Sequence, residues 1–131
     1  AATARAGVRV VGVVTDAAPA MRAALDAGRV VAVRERPTLA DGVAGGLEAG
    51  SVTVDLARLA HDVVVVPEAE VAAAVRYLAR EHGLVAEGAG AMAVAALRAG
   101  LVPVKGRPVA LVTGRNIALP LLARVLGEGP P

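Results

Sequence analysis

Four consecutive valines, Val63 to Val66, are the feature that most limits how this chain can fold. A short, continuous run of β-branched residues is typical of a strand buried on both faces of a parallel sheet. Similar apolar runs occur at Val8 to Val14 and at Val109 to Val112. A turn and then apolar residues at helical spacing follow each run. Strands that alternate with helices predict a three-layer α/β/α domain with a mainly parallel sheet.

Proline and glycine mark where the helices of this domain should begin and end. Pro19 should open a helix that stops at Gly28, and Pro67 should open a longer one that stops at Gly83. Shorter helices are expected from Thr38 to Val43, from Val52 to Ala60, from Met92 to Leu97 and from Ile117 to Leu126. Val30 to Val33 is predicted to be a short strand, and Ala1 to Gly7 the end of a helix.

Composition excludes several classes of function. The 131 residues are enough for one ordinary domain, so residues 1–131 are expected to form a single α/β unit. The net charge is only +2, and Tyr77 is the one aromatic residue, so nucleic-acid binding has no support. Without cysteine, a secretory signal or an apolar run of about 18 residues, a cytoplasmic location away from membranes is expected.

The segment Thr113-Gly114-Arg115-Asn116 is the first candidate for a binding site. It joins the apolar run Val109 to Val112 to a segment with helical spacing. Ligands of open α/β sheets bind outside the carboxyl ends of the strands, where such turns lie. Thr113 and Asn116 would present a hydroxyl and an amide there. The alternative is that the segment is only a turn with a helix cap.

Glu87, Gly88 and Gly90 lie in a second turn, Val-Ala-Glu-Gly-Ala-Gly-Ala. The carboxylate of Glu87 either orients a ligand or interacts favourably with the positive N-terminal end of the helix that follows. The two glycines permit a close approach of backbone, but they form only a weak dinucleotide-binding motif. His61 and His82 have no neighbouring cysteine or paired histidine, so no metal site is predicted.

Four ordered segments together are far more specific than any one turn. They are Thr38 to Val43, His61 to Glu70, Val85 to Ala91 and Leu111 to Ile117. This set resembles the C-terminal half of threonine and serine dehydratases, pyridoxal-phosphate enzymes of the tryptophan-synthase-β fold type (fold type II), to which serine racemase is related. The resemblance covers the chain from about Val8 onward.

The resemblance implies a role for five residues in binding pyridoxal 5'-phosphate. Thr113 would place its hydroxyl against the pyridine nitrogen. It begins a motif whose usual sequence in relatives is Ser-Gly-Gly-Asn and which here includes Gly114 and Asn116. Gly42 corresponds to the backbone position that passes beside the cofactor. Glu87 corresponds to the carboxylate near its ring.

The sequence departs from the family pattern at several positions. Arg115 replaces the second glycine of the motif and either points to solvent or crowds the ring pocket. Relatives that bind a divalent cation carry acids where this chain has Val14 and Ala20, so no metal is expected there. The Schiff-base lysine and the phosphate-cradling loop of the family precede the matched part, and Lys105 does not correspond to that lysine. No catalytic residue is therefore assigned in this chain. The N-terminal half of the enzyme domain is expected to be missing from it.

The resemblance implies a lyase that eliminates water from L-threonine or L-serine to give a 2-oxo acid and ammonia. The isolated chain is expected to be inactive, to bind the cofactor weakly or not at all, and to associate with itself or with the missing N-terminal half. The alternative, from a different class, is a non-catalytic α/β module that binds a partner or a small ligand. A relative that performs racemisation or β-replacement is a third, more distant possibility.

Overall fold

The computed structural model describes residues 7–128, so the predicted helix end at Ala1 to Gly7 lies outside the described residues except for Gly7. The strands are β1 (Val11–Thr15) and β2 (Asp62–Val66). The α-helices are α1 (Ala20–Ala27), α2 (Val52–Ala57), α3 (Glu68–His82), α4 (Gly88–Arg98) and α5 (Leu119–Gly127). A single 3-10 turn covers Asp41–Val43. None of the described helices is long and apolar enough to cross a membrane.

The two strands form a parallel pair, as the sequence predicts. Val11 lies opposite Asp62, and Thr15 opposite Val66. The strand predicted from Val8 begins only at Val11.

Helices cover both faces of this sheet. Side chains alternate between the two faces of a strand, so neighbouring valines face different layers. Val13 and Val64 pack against the cluster formed with α3 and α4. Val14 and Val63 are buried outside that cluster, where Arg22 of α1 donates a hydrogen bond to the Val63 carbonyl at 3.2 Å. The α/β class with a parallel sheet and helices is therefore confirmed.

The main core lies where α3 and α4 meet. Ala74 of α3 and Ala91 and Ala95 of α4 are fully buried, and such small side chains let two helices approach closely. The larger members of the core are Val66, Val71, Val75, Leu78, Met92, Leu122 and Val125. A chain without phenylalanine or tryptophan therefore fills its interior with closely spaced aliphatic side chains.

The helix ends follow the local signals in most places. Gly28 and Gly83 adopt left-handed conformations (φ 68° and 63°) directly after α1 and α3, as predicted. The helix predicted from Thr38 is instead a single 3-10 turn, because the chain is extended at Ala44 and then turns through Gly45 at φ 118°. Helix α4 begins at Gly88, earlier than predicted, and α2 ends at Ala57 rather than Ala60.

Two predicted strands are wrong for the described part of the chain. Val109 to Val112 and Val30 to Val33 are not strands. Val109 is 83% exposed and Leu111 is 69% exposed. An apolar run shows that a segment favours burial, whereas a strand also needs a neighbour for its hydrogen bonds. No strand among residues 7–128 pairs with Val109 to Val112.

Tyr77, the only aromatic residue of the sequence, contacts the ring of His82 and the guanidinium of Arg98. Tyr77 of α3 meets the His82 ring edge-on, with centroids 4.9 Å apart. The guanidinium carbon of Arg98, at the end of α4, lies 3.8 Å from the centroid of the tyrosine ring. This cation–π contact adds to the packing of α3 on α4.

Candidate active-site cleft

Glu87 holds the turn at residues 113–116 through two hydrogen bonds. Its backbone N–H donates to the carbonyl of Gly114 at 3.1 Å. Its carboxylate oxygen Oε2 accepts from the backbone N–H of Asn116 at 2.9 Å. Glu87 is also the residue before α4, yet its side chain makes no capping hydrogen bond to that helix. Its side chain is therefore committed to the neighbouring turn.

Glycines allow the segments around Glu87 to come this close. A Cβ atom at Gly114 would overlap the Glu87 carboxylate. A Cβ atom at Gly90 would lie 2.6 Å from the Gly114 carbonyl oxygen, closer than real Cβ contacts allow. The Gly-Ala-Gly segment at 88–90 therefore serves close approach of backbone, the property that its sequence indicates, and not a dinucleotide motif.

The segment 38–42 lies against the N-terminal turn of α4. A Cβ atom at Gly88 would overlap the carbonyl oxygen of Leu39. A Cβ atom at Gly42 would lie 3.3 Å from the Cβ of Ala89. Segment 38–42, Glu87 and the 113–116 turn thus surround the same helix end, although they are far apart in sequence.

A cleft of about 340 Å³ opens between these segments. Its lining residues are Leu39, Asp41, Glu87, Asn116, Ile117, Ala118 and Leu121. This volume is near the lower end of the range for small-molecule sites, roughly 300–1,000 Å³. The lining combines four apolar side chains with two carboxylates and an amide, so the cleft suits a ligand that has an apolar plane and a few polar groups.

The five residues predicted from the resemblance are distributed unevenly around this cleft. Glu87 and Asn116 line it, Gly114 contacts Glu87, and Gly42 lies beside Ala89. Thr113 is exposed and does not line the cleft, and its hydroxyl has no hydrogen-bond partner within residues 7–128. The role of these five residues in binding a cofactor stays a prediction.

A larger hollow of about 520 Å³ lies elsewhere, beside residues 30–33 and 46–49. Glu35 is the only charged side chain that lines it, and this carboxylate already accepts hydrogen bonds from the backbone N–H groups of Gly45 and Gly46. The hollow therefore offers no set of free polar groups for chemistry. Among the described residues, no three acidic, histidine or cysteine side chains are grouped as a metal site would require.

One acidic residue at this edge of the sheet was not among the predicted site residues. Glu68 begins the helix that Pro67 is predicted to open. It accepts hydrogen bonds from Thr38 and Leu39, which precede Gly42. The available signal was its place directly after the carboxyl end of β2, with only Pro67 between them.

Comparisons with known proteins match this chain over nearly its whole length. A model of the family "Pyridoxal-phosphate dependent enzyme" matches residues 1–114. The L-threonine ammonia-lyase of Thermotoga maritima is 41% identical over 124 residues, which are 93% of this chain and 30% of that protein. The catabolic L-threonine dehydratase of Escherichia coli K12 is 33% identical over 124 residues, 92% of this chain and 37% of that protein. The chain therefore spans about a third of the length of these curated relatives.

Solved structures agree with the sequence matches. The processed form of threonine deaminase isoform 2 from Solanum lycopersicum superposes with a TM-score of 0.79 at 25% identity, over 95% of this chain and 38% of that chain. Maize serine racemase has a TM-score of 0.70 at 21% identity, over 97% of this chain and 41% of that chain, and so shares the fold. These findings confirm the resemblance drawn from the four ordered segments.

Proposed function

The chain belongs to the pyridoxal-phosphate dependent enzymes, and from this membership we propose that it forms the C-terminal part of a threonine or serine dehydratase. The proposed reaction removes water from L-threonine or L-serine and gives a 2-oxo acid and ammonia. The observation that carries the proposal is the attachment of the 113–116 turn to Glu87, beside segment 38–42, around one cleft. The named relatives, threonine ammonia-lyase and dehydratase, support the substrate class.

The residues around the cleft fit a flat, polar-edged ring. Gly42 has no side chain, so the backbone can lie beside a ring there. Thr113 directly precedes Gly114, the first residue bonded to Glu87. Its unpaired hydroxyl can donate to a ring nitrogen or accept from one. When bound, pyridoxal phosphate supplies the conjugated system that withdraws electrons from the amino acid's Cα during elimination.

Each side chain then has a separate task. Thr113 would hydrogen-bond to the ring nitrogen without fixing a proton on it, as a carboxylate would. Glu87 would hold the turn in place through the backbone of Asn116, so that the Thr113 hydroxyl keeps its position. Leu39 and Ile117 would exclude water from the cleft.

We infer that the family's Schiff-base lysine and phosphate loop lie outside this part of the enzyme, because Lys105, the only lysine, is exposed in a loop. We therefore assign no catalytic residue here and expect the lysine to come from another segment. A phosphate loop makes several charge-assisted hydrogen bonds, each worth about 1.5–3 kcal/mol. A lone threonine hydroxyl cannot replace them, so the chain alone should bind the cofactor weakly at best and turn over no substrate.

Complementation tests this proposal. The purified chain, supplied with pyridoxal phosphate and L-threonine, should release no 2-oxobutanoate. Co-expression with the N-terminal part of the Thermotoga maritima relative should restore its formation. Thr113→Val, which removes the hydroxyl at nearly constant volume, should lower the restored rate by about tenfold. Turnover by the chain alone would contradict the assignment of the lysine to another segment. Cofactor-independent ligand binding without restored turnover would favour the non-catalytic binding module instead.

A further inference from the structure

The carboxylate of Glu68 joins three segments of the chain at the carboxyl edge of the sheet. Its Oε1 accepts hydrogen bonds from the hydroxyl of Thr15, the last residue of β1, and from the hydroxyl of Thr38 at 2.5 Å. Its Oε2 accepts from the backbone N–H of Leu39 at 2.9 Å. The backbone N–H of Glu68 itself donates to Oδ1 of Asp16 at 3.2 Å.

The contacts at this junction use both oxygens of the Glu68 carboxylate. Thr15 is completely buried, and it is the only buried polar residue in the described part of the chain. A buried hydroxyl that lost its partner would be destabilising. Three donors converge on one half-buried carboxylate, and hydrogen bonds to an ionised acceptor are about twice as strong as neutral ones.

Segment 38–42 connects Glu68 to the cleft through direct contacts. The Thr38 hydroxyl also accepts from the backbone N–H of Ala40 at 2.9 Å, which closes the start of the segment into a turn. The carbonyl of Leu39 then lies against Gly88, where no side chain intervenes. Leu39 and Asp41 line the cleft together with Glu87.

We propose that Glu68 is a positioning residue that holds segment 38–42 against the N-terminus of α4 and so sets the width of the cleft. Its link to pyridoxal phosphate rests on the proposed function of that cleft. The role of Glu68 in positioning segment 38–42 does not rest on that function, because the residues of this chain make all the hydrogen bonds involved.

Hydrogen–deuterium exchange on the full chain tests the geometric part. In Glu68→Ala, amides of residues 38–42 should exchange about tenfold faster or more, whereas those of β2 and the middle of α3 should keep their protection. Glu70→Ala is the matched control. It removes an acid from the same first turn of α3, and Glu70 has no side-chain partner within residues 7–128. Unchanged exchange at 38–42 in Glu68→Ala, or an equal change in Glu70→Ala, would overturn the proposal.

Two further variants distinguish a local loosening of segment 38–42 from general unfolding. Thr38→Val keeps the buried Thr15 contact and should loosen the same segment. Glu68→Gln retains one acceptor oxygen for the Leu39 N–H and should restore part of the protection that Glu68→Ala loses. Loss of protection throughout the chain in Thr38→Val, or no recovery in Glu68→Gln, would contradict a local positioning role.

Cofactor affinity in the complemented enzyme gives the functional readout. Glu68→Ala should raise the Kd for pyridoxal phosphate by about tenfold, and Glu68→Gln should recover most of it. An unchanged Kd in Glu68→Ala would refute the role toward the cofactor. If the unsubstituted assembly binds no pyridoxal phosphate, the proposed function itself fails, and the exchange experiment still decides whether Glu68 positions the segment.

Discussion

At the scale of single residues, three glycines control how closely the segments around the cleft approach one another. At Gly88 and Gly90 an added methyl group would meet backbone atoms, which cannot swing aside. At Gly114 it would meet the carboxylate of Glu87, the end of a flexible side chain. We therefore expect substitutions at the first two positions to shift whole segments. A substitution at Gly114 should cost mainly the hydrogen bond that the Glu87 carboxylate accepts from the Asn116 N–H.

Gly90→Ala should destabilise the fold by about 1–3 kcal/mol, the usual cost of overpacking. The better helix propensity of alanine, roughly 1 kcal/mol, does not offset the contact with Gly114. Gly127→Ala is the control, because Gly127 lies in α5 with nothing within 4 Å of its Cβ position. Urea unfolding of the purified protein measures both variants. Equal stabilities for the two variants would show that the turn moves freely.

The Arg22–Asp26 pair in α1 predicts a pH dependence at the surface. The side-chain hydrogen bond from Arg22 lowers the pKa of Asp26 below its ordinary value. A carboxylate with a lowered pKa stabilises the fold above its ordinary pKa, about 3.9, and this contribution disappears as pH falls through the lower, folded value. Asp26→Asn should therefore be less stable than the parent at pH 7, and the difference should shrink below about pH 4. A difference that grew on acidification would exclude this pair as its source.

At the scale of elements, local signals predicted the helix ends, and contacts distant in sequence were harder to predict. Gly28 and Gly83 end helices because their own conformation allows it, so the sequence was sufficient there. Val109 to Val112 favours burial, but no local signal says which segment will cover it.

The candidate site divides in the same way. The turn that carries Thr113 and Asn116 was visible in the sequence because glycine and polar residues follow an apolar run. The role of Glu68 was not, because its partners Thr15 and Thr38 lie 53 and 30 residues away. An acid at the start of a helix reads as a favourable charge near the helix dipole, and only the fold shows that it accepts from other segments.

Helix α2 should depend on its cap, because six residues form few hydrogen bonds of their own. The Ser51 hydroxyl accepts from the backbone N–H of Thr53 at 3.3 Å. Ser51→Ala should lower the free energy of unfolding by about 1 kcal/mol. Thr53→Ala, which keeps that backbone donor, should change stability by much less. Urea unfolding distinguishes the two, and a larger loss from Thr53→Ala would contradict the assigned cap.

At the scale of the whole molecule, several apolar side chains are exposed in and near the segment where the strand Val109 to Val112 was predicted. Val109 and Leu111 are mostly exposed, and Val112 and Val104 are also open to solvent. A contiguous apolar patch on a folded domain marks a surface that another element or molecule covers. The two-stranded sheet also keeps unpaired outer edges within the described residues, which can accept a further strand.

We expect the isolated chain to self-associate through this surface. Val109→Thr combined with Leu111→Thr should shift sedimentation toward monomer at equal concentration. Leu59→Thr is the control, because Leu59 is 74% exposed and lies beyond α2, outside segment 104–112. Adding the N-terminal part of the relative to the unsubstituted chain should likewise reduce its self-association. Monomeric behaviour of the unsubstituted chain at all concentrations would contradict this expectation.

The contacts of Tyr77 with His82 and Arg98 also give the protein an optical reporter. With no tryptophan and no phenylalanine in the sequence, the near-ultraviolet circular dichroism and the intrinsic fluorescence come from this one ring. The ring touches the C-terminal end of α4, whose opposite end borders the cleft. A ligand or partner that tilts α4 would therefore change the tyrosine signal, and the response could be recorded in solution without any label.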